Sequence, residues 1–259
     1  MSDVYWGTPG AINAMANPTV MFLGDSWFWY PISNLPRAIH ASFSTHDFLV
    51  IGRNGADAAE WKDKFRKDID RAFKFYGDAV QALVLSGGGN DVAGSADFLR
   101  IINADCSKAA SVKECYQPGQ PESLLSGLFG AHKAVILKFR AHNPRAPVLL
   151  HNYDNAWPSG KGLFGPSDWL KAPMDAAKVP KKLRRDLFKD LIAQLHDMHQ
   201  ALAKDAALAP VVAIRTAGTL PEKADEAGSW WANELHPSVR GFQLIADTKF
   251  VPELKKFLV

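Results

Sequence analysis

TVMFLGDSWFWYP, residues 19–31, decides how the rest of the chain is read. Thr19 to Leu23 is a continuous apolar run, not an alternating one. That is the pattern of a strand covered on both faces, as in a parallel sheet flanked by helices. The run stops at the small polar turn Gly24-Asp25-Ser26, and Trp27, Phe28, Trp29 and Tyr30 follow at once. Four consecutive aromatics in one helical turn cannot all face a core. One or two of them are therefore expected to line a cleft beside Ser26 while the others anchor the first helix.

Four further runs repeat the pattern: Phe48–Ile51, Ala82–Leu85, Val148–Leu150 and Val211–Ile214. Between them lie helical periodicities. Ala58 to Tyr76 places Trp61, Phe65, Ile69 and Phe73 on one stripe, and Ser123 to His142, Lys181 to Lys204 and Ser238 to Leu258 read likewise. Strand alternating with helix predicts an α/β protein, a three-layer αβα sandwich around a five-stranded parallel sheet. A chain of 259 residues fits a single such domain, 1–259, with no internal repeat. Two Pro/Gly-rich or polar insertions, about 93–121 and 155–179, follow strand ends. They are expected over the sheet edge where open α/β proteins bind ligands.

Composition excludes several classes. A net charge of +3, with basic residues spread over helix faces, argues against nucleic-acid binding. No apolar run approaches the ~18 residues of a membrane span. The N-terminal MSDVYWGTPGAINAMANP lacks a basic region followed by an apolar one, which points to the cytoplasm unless a leader has been removed. Cys106 and Cys115 are spaced to permit either a local disulfide or two free thiols. No Cys/His spacing suggests a zinc site, and His196 and His199 read as one face of a helix. No metal or cofactor is expected, and no Gly-rich phosphate loop opens the first helix.

Chemistry gathers at strand ends. The first strand ends on Gly24-Asp25-Ser26, the second on Gly52-Arg53-Asn54-Gly55, and the third on Gly87-Gly88-Gly89-Asn90-Asp91. Near the end of the chain stands Asn233-Glu234-Leu235-His236-Pro237. A parallel sheet puts such ends on one edge, so Ser26, Gly55, Asn90 and His236 can meet. Asp25 and Asp91 read as turn and capping residues.

These four blocks, spread from Gly24 to about Gly241, resemble those of the SGNH (GDSL-type) hydrolases; GGGND and LHPSVRGF are the most specific pieces. The resemblance implies a flavodoxin-like sandwich and serine-esterase or lipase-like chemistry. Ser26 would be the nucleophile and His236 the base. The Ser26 and Gly55 N–H groups and the Asn90 amide would be the oxyanion donors. The chemistry suits those types: a hydroxyl needs a base to become an alkoxide, and a tetrahedral oxyanion needs fixed donors. A histidine base of ordinary pKa would make activity fall between pH 8 and 5.

The sequence departs from the family where an Asp is usual three residues before the His; here stands Asn233. Its amide oxygen can orient His236 without supplying charge. Asp154 and Glu234 are alternative acids, and a Ser–His dyad is a third reading. Trp27, Trp157 and Trp231 are the candidate substrate-binding aromatics. The leading expectation is hydrolysis of a lipid-type or other apolar carboxylic ester, a small-molecule or lipid substrate, through an acyl-serine. Carbohydrate O-acetyl esterase action, acyl transfer at the same site, and an inactive binding module on the same fold are the alternatives.

Overall fold

The computed structural model describes residues 3–7, 18–167 and 169–258. Its sheet has six parallel strands: β1 (Val4–Trp6), β2 (Val20–Gly24), β3 (Phe48–Gly52), β4 (Ala82–Ser86), β5 (Val148–His151) and β6 (Val211–Ile214). Their spatial order is β1-β3-β2-β4-β5-β6. The five strands read from the sequence form the doubly wound flavodoxin-like order. The expected count of five is corrected by β1, which adds an edge strand along β3 with Val4 beside Phe48. Three residues are too few to stand out as a buried run, and β1 depends on its neighbour for hydrogen bonds.

Right-handed crossovers put the first connection on one face of the sheet and the later ones on the other. The first face carries α1 (Ser26–Trp29) and α2 (Leu35–His40). On the opposite face run α3 (Arg66–Tyr76), α4 (Gln120–Arg140) and α5 (Lys181–Lys204). Near its end the chain forms α6 (Val239–Ile245), which returns to pack on α2 and continues through Ala246–Phe250 into a last short helix, Val251–Leu254. The stripe Trp61, Phe65, Ile69 and Phe73 is buried as expected, but its helix is broken. Ala58–Lys62 is a 3-10 helix, and α3 starts only at Arg66. The β2 residues Val20 to Leu23 are fully enclosed, as a strand covered on both faces requires.

Register sets the site. Gly24 at the end of β2 lies beside Gly52 of β3 and Ser86 of β4, so three chains leave the sheet at one level. The order reverses around β2, and the crevice beyond that point is where open α/β sheets bind ligands. Cys106 and Cys115 are both free and buried. Among the described residues no helix is long and apolar enough to cross a membrane.

Candidate active site

Ser26 opens α1, but it does not cap it. Asp25 does so, accepting the Trp27 N–H at 3.1 Å. The Ser26 hydroxyl is thereby released, and it lies 2.7 Å from His236 Nε2. Asp25 is buried and braces the turn further, accepting from the hydroxyls of Ser86 (2.9 Å) and Tyr153 (2.5 Å). Burial pushes its pKa up to about 6, against the three hydrogen bonds that pull it down.

His236 is held from three sides. Its Nδ1 is 3.0 Å from Asn233 Oδ1. That oxygen also accepts the backbone N–H of Leu235 (3.0 Å) and of His236 itself (2.8 Å), while Asn233 Nδ2 donates to the Tyr30 hydroxyl at 3.0 Å. The amide can face only one way. Nδ1 therefore carries the proton, and Nε2 presents its lone pair to the Ser26 hydroxyl. The Tyr30 ring stacks flat on the imidazole, with centroids 4.3 Å apart and planes 4° off parallel. His236 is 5% exposed with no carboxylate against it among the described residues, and burial drives its pKa down to about 3.

The two alternative acids lie elsewhere. Asp154 accepts the backbone N–H groups of Asn155, Gly218 and Leu220, which ties the β5 and β6 loops together. Glu234 accepts the N–H groups of Gly160, Leu170 and Lys171 and the Ser167 hydroxyl. Neither bonds His236. A carboxylate whose oxygens are taken up by donors of neighbouring loop segments has none left for a distant ring.

Gly55 and Asn90 flank Ser26. Gly55 has φ +72°, and a Cβ there would meet nothing within 4 Å, so the position needs glycine for its backbone turn and leaves open space above it. Asn90 donates one amide hydrogen to Ala56 O at 3.0 Å, and the neighbouring Asp91 accepts the Ala58 N–H at 3.0 Å. These two bonds brace the Asn90 and Gly55 turns against each other. The second amide hydrogen of Asn90 remains for a ligand.

Two cavities open from Ser26. One, of about 20 Å³, is lined by Ser26, Trp27, Asn90, Tyr153, Ala156 and Phe188. The other, of about 240 Å³, is lined by Ser26, Tyr30, Gly55, Leu163, Trp169 and His236. Of the three tryptophans singled out from the sequence, Trp27 reaches the site. Trp157 instead stacks under the Arg185 guanidinium, 3.7 Å from its ring centroid, and Trp231 is buried in a bridge to Pro237; neither lines these cavities. The 155–179 segment contributes Ala156, Leu163 and Trp169, whereas the 93–121 segment contributes only Ala93. The sequence reading did not single out Phe188, because its place on the apolar stripe of α5 is that of a core residue. Nor did it single out Tyr30 from the aromatic run.

A doubly wound parallel sheet with a serine, a glycine turn, an asparagine and a histidine at one edge is the architecture of an α/β acylhydrolase. The GDSL-like lipase/acylhydrolase family model matches residues 22–244, and the chain belongs to that family. Similar solved structures include a lipase from a goat rumen metagenome (14% identity, 93% of this chain and 98% of that one, TM-score 0.57). Phospholipase A1 from Streptomyces albidoflavus NA297 is similar as well (17% identity, 93% and 100%, TM-score 0.55). So is a mutant acetyl esterase with an acetate ion (16% identity, 92% and 97%, TM-score 0.53). At these identities the likeness is one of fold. The chain has no significant match among curated proteins.

Proposed function

We propose that the protein hydrolyses carboxylic esters through an acyl-serine at Ser26. The observation that carries this reading is the continuous chain Asn233 Oδ1, His236 Nδ1, His236 Nε2 and Ser26 Oγ, with links of 3.0 and 2.7 Å. In the first half-reaction Ser26 Oγ attacks the ester carbonyl carbon and its proton passes to His236 Nε2. The oxyanion is received by the Ser26 and Gly55 N–H groups and the Asn90 amide, one such donor being worth about 3 kcal/mol of barrier. The C–O bond to the alcohol breaks, and His236 gives the proton to that oxygen. Water then repeats the sequence, with His236 as base, and frees the acid and Ser26. Asn233 orients the ring and fixes its tautomer throughout.

The apolar walls of the larger cavity support an ester with an apolar part. The formed Ser26–His236 pair speaks for turnover over a binding role. Ser26→Ala should abolish p-nitrophenyl acetate hydrolysis, with a loss of at least about 10³-fold in kcat; a folded Ser26→Ala protein with undiminished kcat refutes the reading.

A further inference from the structure

The two cavities are unequal, and they do not touch the same catalytic groups. His236 and Gly55 line only the larger one, while Ser26, Asn90 and Leu235 line both. That asymmetry bears on which half of an ester goes where. A tetrahedral carbon on Ser26 Oγ has three other substituents. Its oxyanion must point at the Gly55 and Asn90 donors. Its alkoxide leaving group must lie within reach of His236 Nε2, which supplies the proton. Both directions belong to the larger cavity's side. The acyl substituent is left with the remaining direction, toward Trp27, Tyr153, Ala156 and Phe188.

The space there is small. About 20 Å³, against about 240 Å³ in the larger cavity, leaves room for a short acyl group only. The walls are also fixed. The Tyr153 hydroxyl is bonded to buried Asp25 at 2.5 Å, and its ring sits so close to Gly89 that a Cβ there would meet it at 2.8 Å. Trp27 Nε1 donates to Leu235 O at 3.2 Å, and its ring packs on Tyr153 and Phe242. Phe188 is 3% exposed on the 24-residue helix α5. None of these side chains can turn away without breaking a buried contact.

The larger cavity is of the opposite character. Tyr30, Pro31, Leu163 and Trp169 line it, and the sequence neighbours of its rim, Ile32 and Phe164, are 63% and 94% exposed. An apolar surface thus runs from the alcohol side of the site out to solvent.

We infer that the protein is an acetyl esterase for apolar alcohols: the small cavity admits an acetyl group and little more, and the larger one takes a bulky apolar or aromatic alcohol. Ser26 Oγ takes the acetyl group, the alcohol leaves with the proton from His236, and water releases acetate and restores the Ser26 hydroxyl. The apolar part of the substrate is then the alcohol, not a fatty acyl chain. This inference rests on the acyl-serine reading above.

The test holds the leaving group constant and lengthens the acid. Across p-nitrophenyl acetate, butanoate, hexanoate and octanoate, kcat/KM should fall about 100-fold from acetate to hexanoate, as expected for forcing methylenes into a packed site. With the acetyl group held constant, kcat/KM should rise about 10-fold or more from ethyl acetate to hexyl acetate, alkyl esters of equal leaving-group reactivity. Phe188→Leu should widen the small cavity and raise hexanoate turnover relative to acetate by about 10-fold. Ala156→Val should fill it and depress acetate turnover. A wild-type preference for hexanoate or octanoate overturns the inference, and so does failure to turn over any acetate. Fluorophosphonate labelling of the same preparation separates the two levels. A labelled Ser26 with long-acyl preference refutes the acetyl assignment alone, whereas an unlabelled protein refutes the acyl-serine reading beneath it.

Discussion

Asn233 stands where a carboxylate is usual in this family, and its amide does the geometric half of that work. It fixes the tautomer of His236 and is itself fixed by two backbone donors and by Tyr30. It does not do the electrostatic half. His236 loses its hydration to burial and gains no counter-charge, so its pKa drops to about 3. In the proposed mechanism only the neutral ring can accept the Ser26 proton. With a pKa this low the neutral form persists through pH 5, so wild-type kcat/KM should be level from pH 8 to 5 and fall only near pH 4 and below. A histidine of ordinary pKa would instead give a fall between pH 8 and 5. Asn233→Asp brings a negative charge against Nδ1, and the Tyr30 hydroxyl can turn to donate to it. The acid limb of the profile should then move up by about 2 pH units. An unmoved limb in a folded Asn233→Asp protein contradicts this account of His236.

At the scale of elements, the site is assembled by short turns that brace one another, and the loop over them is clamped by one residue. Glu234 gathers four donors from the segment 160–171, which carries Leu163 and Trp169. Glu234→Ala leaves those backbone N–H groups unpaired and should free the wall of the alcohol cavity. KM for a bulky acetate should rise about 10-fold while kcat on p-nitrophenyl acetate holds within about 3-fold; equal losses in both would mean the clamp supports His236 instead. The strands that were readable in the sequence are the continuous apolar ones, since burial on both faces leaves its mark on every residue. β1 was not readable, because three residues on a sheet edge carry no such mark. Ser26, Gly55, Asn90 and His236 could be singled out because they follow strand ends that a parallel sheet brings to one edge, in the order of the family's four blocks. The cavity walls could not. Whether a tryptophan faces a cleft is decided by partners far away in sequence, such as Arg185 for Trp157 or Pro237 for Trp231. Phe188 looks like any other core position of a helix.

The whole molecule encloses further neutral histidines. His132, His151 and His199 are buried, with pKa values driven down by desolvation to about 4 for His132, to about 3 for His151 and well down for His199. Each folded pKa lies below the unfolded value near 6.5. The folded state is therefore unpenalised above pH 6.5, and stability is lost as pH falls toward the folded values. Asp25 and Asp154, raised to about 6, and Asp91, raised to about 7, act with the opposite sign and offset part of the loss. His199 isolates one ring, since neither of its nitrogens has a partner among the described residues. His199→Leu should lose about 2 kcal/mol less stability than wild type between pH 7 and 5 in denaturant titrations; an identical pH dependence would mean the ring is not buried neutral. Above all these effects stands the acyl-serine chemistry proposed for Ser26, and the mass of the intact protein reports on it directly. After treatment with a fluorophosphonate at pH 7.5, the wild type should gain one adduct, mapped to Ser26, and Ser26→Ala should gain none. An unmodified wild type, or a Ser26→Ala protein modified to the same extent, would contradict the acyl-serine mechanism.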